Sequence, residues 1–99
     1  MSKQQRSEQQ RSGQQLAMNR CYWRSRRGLL ELDLLLPPFV RARFESLSES
    51  QRGALQQLLE LEDLQIWDWL RDVSVPDSPE LLDLITLIRA FNANRSVDD

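Results

Sequence analysis

From Leu29 onward, apolar residues recur three and four positions apart: Leu29, Leu32, Leu36, Val40 and Phe44 form one stripe, with Leu35 and Phe39 beside it. That spacing lays one face of a helix against a core. Leu55, Leu58 and Leu59 make a second stripe, and Leu81, Leu84, Ile85, Ile88 and Phe91 a third. Between them, Leu64, Trp67 and Leu70 share one side of a short segment, with Ile66, Trp69 and Val73 beside it. No alternating strand pattern appears. The sequence therefore predicts an all-α fold, a small single-domain bundle of about five short helices.

The borders of these helices carry their own signals. Segment 16–27 spaces Leu16, Asn19 and Trp23, and Ala17 and Cys21, at helical intervals, and its arginines collect at the end, where cations suit the helix dipole. Gly28 then stands where a left-handed stop residue belongs. Glu31 and Asp33 open the next helix near its positive end. Pro37 and Pro38 predict a sharp kink or a break in that helix, because each lacks a donor and crowds the preceding turn. Ser48 and Gln51 fit a capping box, Asp63 a cap for a fourth helix, and Ser78-Pro79-Glu80 the start of a fifth. Asn92, Asn94 and the acidic end are expected to fray.

Residues 1–15 hold no apolar side chain beyond Met1, so nothing offsets the entropy of ordering them. The expected organisation is a disordered polar tail over 1–15, a folded domain over 16–95 and a frayed acidic terminus over 96–99.

Absences narrow the function. The chain has no histidine, which removes the commonest general base and metal ligand. One cysteine, Cys21, makes neither an internal disulfide nor a multi-thiolate metal site. Glycines stand only at 13, 28 and 53, so no glycine-rich phosphate loop can be written. No apolar run reaches the length of a membrane span, and the polar N-terminus lacks a signal peptide's apolar core. A cytoplasmic protein without enzymatic activity, metal or membrane insertion is expected.

Charge is divided unevenly. Residues 1–43 carry nine Lys/Arg against three Asp/Glu, and residues 44–99 carry four against twelve, for a net charge of −2. One reading is that the two halves simply attract each other; the other is that the basic part is a face for an acidic partner or for nucleic acid. Arg20, Arg24, Arg26 and Arg27, with Tyr22 and Trp23 interleaved, fit base stacking and phosphate contacts. They fit equally a first helix anchored to the core by Trp23, with its arginines solvated. Trp67 and Trp69 read as core and half-core residues, and Cys21 as a small packed side chain.

The stretch "RRGLLELD" brings Arg27, Gly28 and Glu31 together. One reading is a helix corner at which each charge complements its own helix end. The other is a surface where Gly28 admits a partner's backbone, flanked by a guanidinium fork and a carboxylate.

Trp23 among basic residues, "RGLLELD", a proline after a leucine-rich turn, "FESLSESQ" and "LLELEDLQIWDWL" follow one another in an order that resembles one family over residues 16–95. These are the FAD assembly factors of succinate dehydrogenase, the bacterial SdhE/YgfY type and its mitochondrial relatives. Their Arg-Gly-x-x-Glu motif is matched by Arg27, Gly28 and Glu31. The resemblance implies a YgfY-like five-helix domain that binds the flavoprotein subunit of succinate dehydrogenase or fumarate reductase. It implies that the factor promotes covalent attachment of FAD to a histidine of that partner. The docking surface would be Arg27, Gly28 and Glu31, with Arg24, Arg26 and Trp23 nearby. FAD would belong to the partner and not be bound stably by this chain, which is expected to be a monomer that binds no nucleic acid. A regulatory, antitoxin-like partner of a membrane protein and a basic nucleic-acid-binding module are the rival readings. The doubled Pro37-Pro38 departs from the single proline frequent in the family.

Overall fold

The computed structural model describes residue 13 and residues 15–97, with side chains as far as Arg95. The remainder of the expected polar tail, and residues 98–99 of the acidic terminus, lie outside the described residues. Among the described residues five α-helices make the fold: α1 over 15–24, α2 Leu30–Arg43, α3 Glu49–Leu59, α4 Asp63–Leu70 and α5 Pro79–Val97. A 3₁₀ turn, Phe44–Ser46, joins α2 to α3. No strand occurs among the described residues.

The long α5 packs against α2, α3 and α4, so the core lies along its inner face. Leu84, Ile85 and Ile88 of α5 are buried with Leu32, Leu36 and Val40 of α2. Leu55 and Leu58 of α3, with Ile66 and Leu70 of α4, complete the apolar interior, and Cys21 brings α1 onto it. Phe39 and Phe91 meet edge to face, with centroids 5.7 Å apart.

On α4 the stripe differs from the one expected. Ile66 and Leu70 are buried and Leu64 is exposed, because on an eight-residue helix two adjacent stripes satisfy the period equally. Trp23 also departs from its core reading. It is 67% exposed and stacks edge to face on Tyr22, while Cys21 and the buried Ser25 hold α1 down.

Two helix starts follow from their sequences. Ser48 Oγ accepts the Gln51 N–H at 3.1 Å while Gln51 Oε1 accepts the Ser48 N–H at 2.8 Å. Ser78 Oγ accepts the Leu81 N–H and donates to Glu80 Oε2.

Pro37 and Pro38 do not break α2, which runs without interruption through both. Pro38 has no N–H to give the carbonyl four residues earlier, that of Leu34. Arg95 Nη1 of α5 donates to this oxygen at 3.4 Å, and Asn92 Nδ2 donates to the neighbouring Leu35 carbonyl at 3.3 Å. Packing does the rest: Leu36, Phe39 and Val40 are buried on either side of the pair. α5 runs past Asn92 and Asn94, where the sequence suggested fraying, to Val97.

Candidate docking site

α1 ends at residue 24, three residues earlier than its arginines suggested. Its last turn closes with the Ser25 N–H on the Cys21 carbonyl, and the Ser25 hydroxyl, fully buried, on the Tyr22 carbonyl. Residues 26–29 form a non-helical knuckle before α2, so Arg27 and Glu31 do not share one continuous helix. The corner reading of "RRGLLELD" describes the backbone correctly in that respect.

Its glycine works differently from the expectation. No glycine in the described residues has a positive φ, so Gly28 is not a left-handed stop. A Cβ placed on it would meet only Asp63 Oδ2, at an ordinary 3.8 Å. The left-handed residue is Asp72, with φ 62°, just beyond α4. There the Val73 N–H bonds the Asp68 carbonyl at 2.8 Å and the Asp72 N–H the Trp69 carbonyl at 3.2 Å, which is a Schellman termination.

Arg27 does not point outward. Its side chain is 13% exposed and crosses to the junction of α3 and α4. Nε donates to Asp63 Oδ1 at 2.7 Å, and Nη1 to the Leu59 carbonyl at 2.8 Å and the Arg24 carbonyl at 3.1 Å. Nη2 donates to the Leu61 carbonyl. The guanidinium thus caps the C-terminal Leu59 carbonyl of α3 and the Leu61 carbonyl of the linker that follows, and ties three chain segments together.

Two carboxylates hold the knuckle from its two sides. Asp63 occupies the first helical position of α4, after the N-cap Glu62, and does not cap its own helix as its sequence position suggested. Instead it accepts from Arg27 and from the Leu29 N–H at 3.0 Å. Burial pushes its carboxyl pKa up, but these hydrogen bonds and the Arg27 charge outweigh that and hold it below the usual range. Asp33 accepts from Arg26 Nε at 2.7 Å and from the Arg27 N–H at 3.1 Å. The Arg26 hydrogen bond, first of its causes, lowers the Asp33 pKa.

What faces solvent is therefore a subset of the predicted residues. Gly28 and Glu31 are exposed, and so are Trp23 and Arg24 at the end of α1. Arg26 is about half exposed beside Asp33. Arg27 alone of the six is turned inward. The structure adds Asp33 and Asp63, and exposed apolar side chains at Leu30 and Leu34 on the same helix as Glu31. Among the described residues, the Arg27–Asp63 ion pair is the one that joins the basic and acidic halves.

A family model described as "Flavinator of succinate dehydrogenase" matches residues 19–92, nearly all of the helical domain. The chain belongs to this family. Among its relatives, the FAD assembly factor SdhE of Pseudomonas putida is 37% identical over 75 residues, covering 76% of this chain and 89% of the relative. The SdhE of Yersinia pseudotuberculosis is 36% identical over 76 residues, covering 77% and 86%. The SdhE of Coxiella burnetii is 36% identical over 78 residues, covering 79% and 95%. Flavinator-family membership thus joins an all-helical domain to a knuckle held by Arg27, Asp33 and Asp63. No described helix is long and apolar enough to cross a membrane, and no described cluster of His, Cys, Asp and Glu has the makings of a metal site.

Proposed function

We propose that this protein is an assembly factor that binds the flavoprotein subunit of succinate dehydrogenase or fumarate reductase and promotes covalent attachment of FAD to it. Family membership supports the general role. The observation that carries the docking site is the knuckle itself. Gly28 is exposed and its conformation is open to any residue, yet the backbone around it is fixed by Asp63 and Asp33. A rigid, side-chain-free surface point beside the exposed carboxylate of Glu31 suits close approach by another protein's backbone.

The chain itself acts without chemistry of its own. It has no histidine to accept a flavin. FAD in this reading belongs to the partner, and this chain contributes position and electrostatics. In this reading Arg27 is a positioning residue, and Gly28, Glu31, Trp23 and Arg24 make the contact.

The test is direct. Apo-flavoprotein, FAD and this protein are incubated together, and covalent flavin is read as fluorescence in a denaturing gel. A flavoprotein band that brightens faster with this protein than without it is expected. Equal bands with and without it overturn the assembly role.

A further inference from the structure

Residues 44–99 contain four basic residues against twelve acidic ones, and three of the four rim a single groove. The groove lies between α2, α4 and α5 and has a volume of about 410 Å³. Leu34, Leu35, Trp67, Leu70 and Ile88 supply its apolar surface, and Arg71, Arg89 and Arg95 its charge; no carboxylate lines it. The remaining arginine, Arg52, is occupied elsewhere, over the Phe44 ring and on the Phe44 and Glu45 carbonyls.

The three rim arginines differ in freedom. Arg71 lies over the Trp67 ring and pairs with Asp68 at 3.0 Å, an exposed pair that competes weakly for the guanidinium. Arg95 donates to the Leu34 carbonyl and to Asn92 Oδ1. Arg89 is exposed and reaches no acceptor among the described residues. The apolar surface continues out of the groove onto Leu30, four residues before Leu34, and Leu64, three before Trp67; both are about two-thirds exposed.

We propose that this groove binds a short acidic segment of another protein that carries one large apolar side chain. The apolar floor would seat the side chain, and the guanidinium forks would take the flanking carboxylates. Charge selects this occupant over the chain's own N-terminal stretch. Residues 1–15 carry Lys3, Arg6 and Arg11 against Glu8, the same sign as the rim, and no large apolar residue beyond Met1. A bare phosphate or nucleic-acid backbone would leave the Leu34–Trp67 floor uncovered. This inference uses none of residues 26–29 of the knuckle, and shares with the flavoprotein reading only the exposed apolar Leu30 and Leu34 beside Glu31.

The test uses the full chain, isotope-labelled, and three capped pentapeptides: Glu-Asp-Phe-Glu-Asp, the same with Gly in place of Phe, and Lys-Lys-Phe-Lys-Lys. The first peptide should produce saturable NMR shifts at the Trp67 indole N–H and at the Arg89 and Ala93 amides, weakening as salt is raised. Each control peptide, and the Arg89→Glu variant with the first peptide, should bind at least about tenfold more weakly. Arg89 is exposed and makes no hydrogen bond or ion pair among the described residues, so the variant should keep the wild-type melting temperature. Absence of saturable shifts with the first peptide overturns the proposal. So do equal shifts with the basic peptide, or undiminished binding by Arg89→Glu.

Discussion

Arg27→Ala should cost the fold more than any other change in the knuckle. The substitution removes a guanidinium that satisfies the Leu59, Leu61 and Arg24 carbonyls and pairs with Asp63. Each carbonyl bond at the α3 end is worth about 1 kcal/mol net. The ion pair adds roughly 1 kcal/mol and not the value of a sealed pair, because the Asp63 side chain is 29% exposed and water can resolvate it. With the exposed Arg24 carbonyl left to water, the total, about 3 kcal/mol, corresponds to a fall in Tm of roughly 12–24 °C for a domain of this size. Thermal melting by far-UV circular dichroism measures it, with Arg27→Lys as companion. Lysine keeps the charge but not the fork, so that variant should fall between the other two. A cycle with Asp63→Asn should show a coupling of about 1 kcal/mol. If Arg27→Ala melts within about 3 °C of wild type, or the cycle is additive, the clamp described above does not exist.

Other perturbations follow from the same contacts. Asp63 and Asp33 have depressed pKa values, so the stability they add is complete above the ordinary aspartate value near 3.9 and is lost as pH falls through their lower folded values. Acid titration of Asp63→Asn should therefore show a shallower loss of stability below about pH 4 than wild type; identical profiles would place the titration elsewhere. Asp72→Gly removes a side chain from a left-handed position and should raise stability by about 0.5–1 kcal/mol, read as a higher urea midpoint at unchanged slope. A lower midpoint would mean that the Asp72 carboxylate contributes more than its backbone strain costs.

The elements that sequence reveals here are those whose causes are local. Ser48 and Gln51, or Ser78 and Glu80, lie within three residues of each other, and their chemistry needs no other part of the chain. The stripes on α2, α3 and α5 are long enough for their period to select one face. What sequence hides is set at long range. Arg27 meets Asp63 36 residues away, and nothing in either neighbourhood indicates that the arginine faces inward. The Leu34 carbonyl that Pro38 leaves without its helical donor is reached by Arg95, 61 residues off. Gly28 and Asp72 show the limit of residue-type rules. Glycine stands where the backbone does not require it, and aspartate, which tolerates left-handed angles better than most residues, takes the stop position.

That contrast has a functional edge. A motif arginine is ordinarily the first residue to mutate in search of a contact, yet here its loss would confuse docking with unfolding. Gly28 is the cleaner probe, since an alanine there meets only Asp63 Oδ2 at 3.8 Å and should leave stability unchanged or slightly raised.

The most direct measurement is calorimetric titration of the succinate dehydrogenase flavoprotein subunit into wild type, Gly28→Ala and Glu31→Ala, with the Tm of each variant recorded alongside. If the rigid knuckle is the docking surface, both variants keep the wild-type Tm and bind roughly tenfold or more weakly. Wild-type affinity in both variants, at unchanged Tm, would contradict it.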